Sequence, residues 1–167
     1  MRAKVKIRPL SEADWPAVWV LMEPIVRSGE TYPYDMDMTI DGARRMWIDA
    51  TEATYVAEDG EGTIVGSYYI KPNQPTLGAH VANAGYMVAE SARGKGIGAQ
   101  LCEHSQQEAL RLGYRAMQFN LVVKTNKASV HLWQKMGFAI VGELPGAFHR
   151  RGDDYVDAYI MYKQLAG

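Results

Sequence analysis

A single cysteine, Cys102, is the whole thiol content of this 167-residue chain. One thiol excludes an intramolecular disulfide framework and any cysteine-based zinc cluster, and no metal site is expected. Net charge is nearly missing as well: 18 Lys and Arg stand against 19 Asp and Glu, leaving −1. No global basic field draws such a chain to nucleic acid or anionic lipid, so neither partner is expected. No apolar run approaches the ~20 residues of a membrane span. The opening stretch MRAKVKIRPL lacks an apolar signal core, which gives the expectation of a cytoplasmic protein. Internal repeats, low-complexity tracts and domain linkers are absent too. With 47% hydrophobic and 22% charged residues, the length suits one domain, residues 1–167, around one core.

What is present is a change of period along the chain. Val5 to Leu10 alternates and reads as a strand. A helix follows, with Ser11 as its cap, Asp14 in the first turn and Pro16 tolerated near the start. Trp15, Trp19, Met22 and Val26 share one helical stripe, and Pro24 is expected to bend or end that helix. The aromatic stretch TYPYDMDM reads as a loop, and a short second helix starts at a Thr39 cap. TYVAED and TIVGSYYIK, joined by GEG, form a β-hairpin pattern. HVANAGYMVAE is a further strand. From Ile97 to Leu112 apolar residues repeat at helical spacing, with Gly113 as the C-terminal glycine. AMQFNLVV is a nearly continuous apolar strand, as a central position requires. Asn126 caps a helix ending at Gly137, and FAIVGEL and YVDAYIMYK complete the set. The order β-α-α-β-β-β-α-β-α-β-β describes a mixed α/β protein.

The stretch RGKGIGA holds Gly94, Gly96 and Gly98 beside Arg93 and Lys95 at a helix start. Bare glycines leave backbone N–H groups free to converge, and the helix dipole adds about half a positive charge there. Three phosphate designs compete. A Walker loop needs Lys followed by Ser or Thr after its last glycine, and Lys95 lies between glycines. A dinucleotide turn is met on paper by Gly94, Gly96 and Ala99, but it needs an acid ~20 residues on, where QFNLVVKTN has no carboxylate. Its preceding hairpin is also wrong for a doubly wound sheet. The third design, Arg-x-x-Gly-x-Gly, is met by Arg93, Gly96 and Gly98 and suits a pyrophosphate.

At this point YMVAESARGKGIGAQL followed by NLVVKTNKASVHLWQKMGF resembles the GNAT superfamily of acyl-CoA-dependent N-acyltransferases. The first segment is similar to its pyrophosphate motif, with Val88 on the strand and Arg93, Gly94, Lys95, Gly96, Ile97 and Gly98 as the loop. The second resembles the family segment through Asn126, Ser129, Leu132, Trp133, Gly137 and Phe138. The resemblance implies a mixed α+β fold with a mostly antiparallel seven-stranded sheet, one splayed parallel pair and about four flanking helices. It implies acetyl-CoA as co-substrate, direct attack by an amine, and backbone groups of Met87 and Val88 along the pantetheine arm. Asn126 resembles the asparagine that touches the arm, a role compatible with plain capping. Ser129 and Trp133 belong to the same implied donor site. Trp133 stands where many members carry a tyrosine able to protonate the leaving thiolate, and an indole cannot replace that acid. Fold members often form homodimers, which carries the same expectation here.

For catalysis, Asn83 and Asn120 interrupt apolar strands. Either neighbouring backbone satisfies them, or they face the cleft and bind substrate or a proton-relaying water. His80, His131 and His149 read as exposed, His104 as lying on the solvated side of its helix, and Cys102 as packed. The loop SGETYPYDMD and the hairpin PGAFHRRGDDYVDAY resemble the subgroup that acetylates small amino acids and phosphinothricin-type analogues, with Tyr155-Val156-Asp157 matching its aromatic-x-Asp pattern. In that resemblance Tyr32, Tyr34 and Phe148 wall a small acceptor pocket and Arg150 or Arg151 meets a carboxylate; packing tyrosines and solvated arginines are the plain alternative. Two other functions stay open: an acyl-CoA-binding module without chemistry, and a protein or peptide N-acetyltransferase.

Overall fold

The computed structural model describes residues 2–167. Seven strands form one sheet: β1 (Lys6–Pro9), β2 (Ala53–Glu58), β3 (Ile64–Pro72), β4 (Val81–Val88), β5 (Ala116–Val123), β6 (Ala139–Arg150) and β7 (Asp154–Gln164). Their spatial order is β1-β2-β3-β4-β5-β7-β6. Every neighbouring pair is antiparallel except β4 and β5. The helices are α1 (Trp15–Ser28), α2 (Ile40–Arg44), α3 (Ile97–Arg111) and α4 (Lys127–Lys135).

Strand alternation assigns the helices to faces. Tyr55 and Ala57 of β2, Tyr68 and Ile70 of β3, and Ala82 and Ala84 of β4 join the core that holds Leu101, Cys102 and Ala109 of α3 and Trp133 of α4. The intervening Val56, Tyr69 and Met87 point the other way, into a second core with Val18, Met22 and Val26 of α1 and the buried Trp47. Trp47 leaves no polar atom stranded, because its indole N–H donates to Ser67 Oγ at 2.9 Å.

Of the expected stripe of α1, Trp15, Met22 and Val26 are buried and Trp19 half-buried, and Pro24 does not end the helix. It lies within α1, which runs on to Gly29 in the left-handed conformation, φ +64°. Proline removes the hydrogen bond to the carbonyl four residues back. That residue, Val20, is 72% exposed, on the open side of the helix. The second helix is shorter than its pattern suggests: Thr39 caps it by accepting from the Gly42 N–H at 3.0 Å, and a wider π-type turn then carries Arg45–Asp49. Strand β6 extends beyond FAIVGEL, through Pro145 and Gly146 to Arg150.

Ahead of α1, Arg8 of β1 joins two carboxylates, Asp14 at 2.7 Å and Glu58 at 2.6 Å. Asp14 also accepts from the Ser11 N–H and hydroxyl. The Arg8 guanidinium, with these donors, holds the Asp14 carboxyl well below its usual range. A depressed folded pKa stabilises the fold above the unfolded value near 4, and that stability disappears as pH falls through the folded value. Asp14→Asn is therefore expected to lower stability at pH 7 by roughly 1–3 kcal/mol, and to lose progressively less relative to wild type below about pH 4. Urea unfolding of both proteins at pH 7 and pH 3 measures it; an equal deficit at both values contradicts it.

Candidate active site

The parallel pair is the centre of the site because it is so short. Val81 pairs with Ala116, Ala82 with Met117 and Asn83 with Gln118, and the pairing stops there. From Ala84 to Val88 the β5-facing edge of β4 has no strand partner, while its other edge stays registered on β3 through Val88. On β5 the ladder with β7 also slips, between Phe119 and Val122. The result is a wedge opening toward the C-terminal ends of both strands.

Asn83 sits at the apex. Its Oδ1 accepts from Tyr69 Oη at 3.1 Å and its Nδ2 donates to the Gln118 carbonyl at 3.1 Å, so its side chain joins the two strands where their ladder ends. Of the two readings open for Asn83, these bonds are those of internal satisfaction. Asn120 is exposed and its Oδ1 accepts from Gln118 Nε2 at 3.0 Å.

Each side of the wedge has an aromatic wall. On the α3–α4 side, Trp133 packs 4.9 Å from Tyr86 and 5.1 Å from Phe119, ring centre to ring centre. On the α1 side, Tyr32 donates to the Tyr86 carbonyl at 3.3 Å. A Cβ on Gly85 would stand 2.5 Å from the Tyr69 ring and 2.7 Å from Tyr32 Oη. Only glycine admits both phenols against the strand. Burial pushes the Tyr69 hydroxyl up to about 12 and raises Tyr32 and Tyr34 as well. All three stay protonated at neutral pH.

At the mouth of the wedge, β4 leads into the glycine loop. Gly94 and Gly96 are both left-handed, φ +77° and +75°, and α3 begins at Ile97. Arg93 and Lys95 are exposed. Gly98 has a different reason to be glycine: a Cβ would stand 3.1 Å from Leu132 of α4. At the start of α4, Asn126 Oδ1 accepts from the Ser129 N–H at 3.4 Å and its Nδ2 donates to Ser129 Oγ at 2.9 Å.

A cleft of about 400 Å³ lies between the loop after α1 and the β6–β7 hairpin, lined by Tyr32, Tyr34, Asp35, Phe148 and His149 among others. Structure thus brings Tyr32, Tyr34 and Phe148 together. Arg150 does not line it: this side chain pairs with Asp154 and, at 3.8 Å, with Glu30. The Arg151 N–H donates to the Gly29 carbonyl at 3.1 Å, tying hairpin to loop. His149 stacks on Tyr155 at 4.3 Å. His104 is not on a solvated face. It is half-buried against Tyr55 and Tyr68, with Nδ1 2.6 Å from Tyr68 Oη, and burial lowers its pKa. Cys102 is buried as expected, its thiol pushed up to about 11 by burial.

Tyr69 and Gln118 escaped sequence reasoning, since one lies in an unbroken apolar run and the other contributes only its backbone carbonyl to the bridge. Asp157 had a signal, the aromatic-x-Asp pattern, but not its role. Two extra residues of β6 bulge out between Leu144 and Phe148. Asp157 Oδ1 accepts from the Gly146 N–H at 2.9 Å within that bulge, which carries Ala147 and Phe148 to the cleft.

Residues 15–138 match the model of the acetyltransferase (GNAT) family. The N-acetyltransferase aca1 of Schizosaccharomyces pombe is 33% identical over 151 residues, covering 81% of this chain and 72% of the relative. An L-methionine sulfoximine/L-methionine sulfone acetyltransferase of Pseudomonas paraeruginosa is 30% identical over 146 residues, 83% of each chain. Among solved structures, a GCN5-related N-acetyltransferase from Kribbella flavida superposes with a TM-score of 0.89 at 44% identity, covering 96% of this chain and 97% of that one.

Two outcomes test the geometry. Gly85→Ala forces the Tyr69 ring and the Tyr32 hydroxyl off the strand, and is expected to cost roughly 1–3 kcal/mol of stability; a thermal midpoint equal to wild type contradicts the close packing. Asp157→Ala is expected to accelerate amide exchange at Gly146 while Asp157→Asn, which keeps an acceptor, protects it. Hydrogen exchange followed by NMR reads both, and equal exchange in the two variants removes the pin.

Proposed function

The chain belongs to the GNAT acetyltransferase family, and on that premise we infer that it transfers an acetyl group from acetyl-CoA to the amine of a small amino acid or amino-acid analogue. One observation carries the reading: the splayed β4–β5 wedge stands between a glycine loop at a helix start and a small aromatic cleft. The related sulfoximine/sulfone enzyme supports the choice of acceptor.

Acetyl-CoA supplies the acetyl group as a thioester. The residues present fit such a molecule. Left-handed Gly94 and Gly96, with Arg93 and Lys95 beside them, make an anion cradle for a pyrophosphate, with Ile97 and Gly98 opening the helix. Of the two residues expected along the pantetheine arm, Met87 is registered with Ser67 and turns its backbone groups to β3. The free edge of β4 therefore offers the Val88 backbone to the arm's amides, with a fixed N–H donor where negative charge develops on the carbonyl oxygen. Asn126 and Ser129 close the far side at the start of α4. Trp133 serves as a wall packed on Tyr86 and Phe119.

On the acceptor side, Tyr32, Tyr34 and Phe148 enclose the amine, and Asn83 ties β4 to β5 at the apex of the wedge. Arg150 acts by latching the hairpin to Glu30. Protonated phenols donate hydrogen bonds but cannot take a proton from an ammonium. In this reading the amine sheds its proton to water, which Asn120 orients at the exposed side of β5, and attacks the thioester carbonyl as the free base. The C–S bond then breaks and the departing thiolate takes a proton from water.

Thiol release over a panel of amines tests this. Small α-amino acids, methionine sulfoximine among them, are expected to turn over and basic peptides are not; turnover of peptides alone overturns the reading. With two acceptors of different amine pKa, the limb of kcat/KM that rises with pH is expected to move with the acceptor. A limb that stays put would assign the base to the protein.

A further inference from the structure

Residues 2–5, ahead of β1, cross the outside of the glycine loop, and Gln100 of α3 fastens them there. The Ala3 N–H donates to the Lys95 carbonyl at 2.9 Å. Gln100 Nε2 donates to the Ala3 carbonyl at 2.6 Å and to the Gly96 carbonyl at 3.2 Å. Its Oε1 accepts from the Val5 N–H at 3.3 Å. Both atoms of this one carboxamide are used. Arg2 adds its stem, with Cγ 3.1 Å from where a Gly96 Cβ would stand, and its guanidinium pairs with Glu103 of α3 at 3.1 Å. The vacant Cβ position of Gly96 thus faces the strap.

These contacts bear on the loop through the geometry of the peptide bond. No peptide here is cis, so each carbonyl and the following N–H point in opposite directions. With the Lys95 carbonyl turned out to Ala3, the Gly96 N–H is turned inward. The Gly96 carbonyl also accepts the Gln100 backbone N–H at 3.3 Å, the first bond of α3, so the helix itself sets the Gly96–Ile97 plane. Glycine moves freely through the left-handed region, and the Lys95–Gly96 plane, which has no such helical bond, flips readily unless held.

We propose that Gln100 is a positioning residue for the donor: through the 2–5 strap it sets the Lys95–Gly96 peptide plane, so that the Gly96 N–H meets the pyrophosphate in place before binding. This rests on the reading of Arg93–Gly98 as the pyrophosphate loop. Preorganised donors bind more tightly because the ordering cost is already met in the free protein.

Titration calorimetry with two ligands tests it: acetyl-CoA, and acetyl-pantetheine, which lacks the pyrophosphate. Gln100→Leu keeps the side-chain bulk and removes all three hydrogen bonds. Ala3→Pro removes the donor to Lys95 from the strap side without touching α3, and keeps the test available if the helix variant misfolds. Each is expected to weaken acetyl-CoA about tenfold while acetyl-pantetheine stays within about twofold of wild type. Unchanged acetyl-CoA affinity in a folded variant overturns the proposal, as does equal weakening of both ligands, which would mark a general loss of fold. Equal affinity of the unsubstituted protein for the two ligands would instead remove the pyrophosphate reading, and that result is obtained before any substitution is made.

Discussion

The Asn83 carboxamide holds β4 and β5 together where their backbones cease to do so. Two parallel pairs precede it, its own is the third, and none follows. Parted strands expose backbone N–H and C=O groups along an apolar wedge, and such groups cost free energy wherever they are left without partners. A ligand carrying amides of its own can satisfy them. The apex bridge fixes the angle at which this unpaired edge is offered, and Tyr69, donating to the same amide from the α1 side, extends the constraint into the second core. The glycine loop, the start of α4 and the acceptor cleft are all arranged around an opening that one side chain keeps in register.

Burial of tyrosine shapes the chemistry on the acceptor side. Tyr32, Tyr34 and Tyr69 crowd one another, and each loses its phenolate to desolvation. Ionised phenols there would repel each other and attract the ammonium form of an amine, which cannot attack. Neutral phenols bring no charge of their own into the cleft, whose lining also includes Asp35 and His149. The Arg150 guanidinium is committed to carboxylates on two neighbouring segments.

The donor side was legible because its requirements are local. A helix start that must expose amides demands glycine in the left-handed region, and Gly94 and Gly96 meet that demand within three positions of each other. Asn126 capping α4 is equally local, and strand periods located the sheet. Pro24 does not end α1, because the packing of the whole apolar stripe outweighs one lost backbone bond, and no local pattern encodes that packing. His104 misled because its helix lies on the sheet at an angle that brings Tyr55 and Tyr68 under it. Asn83 stayed undecided between two roles, since its partners are a phenol fourteen positions away and a backbone carbonyl thirty-five away.

The same distinction separates what the two halves of the site can change. The glycine loop is built from backbone, so few side-chain substitutions can redirect it without losing the turn. The acceptor cleft is built from side chains on the loop after α1 and on β6, and its shape depends on a bulge that Asp157 pins from the neighbouring strand. Residues within the bulge carry no ladder register, so Ala147 can change size without shifting the rest of β6. The backbone of Lys124 at the end of β5 donates to the carbonyl of the same Asp157. One residue therefore joins the end of β5, which bounds the wedge, to the bulge of β6, which bounds the cleft.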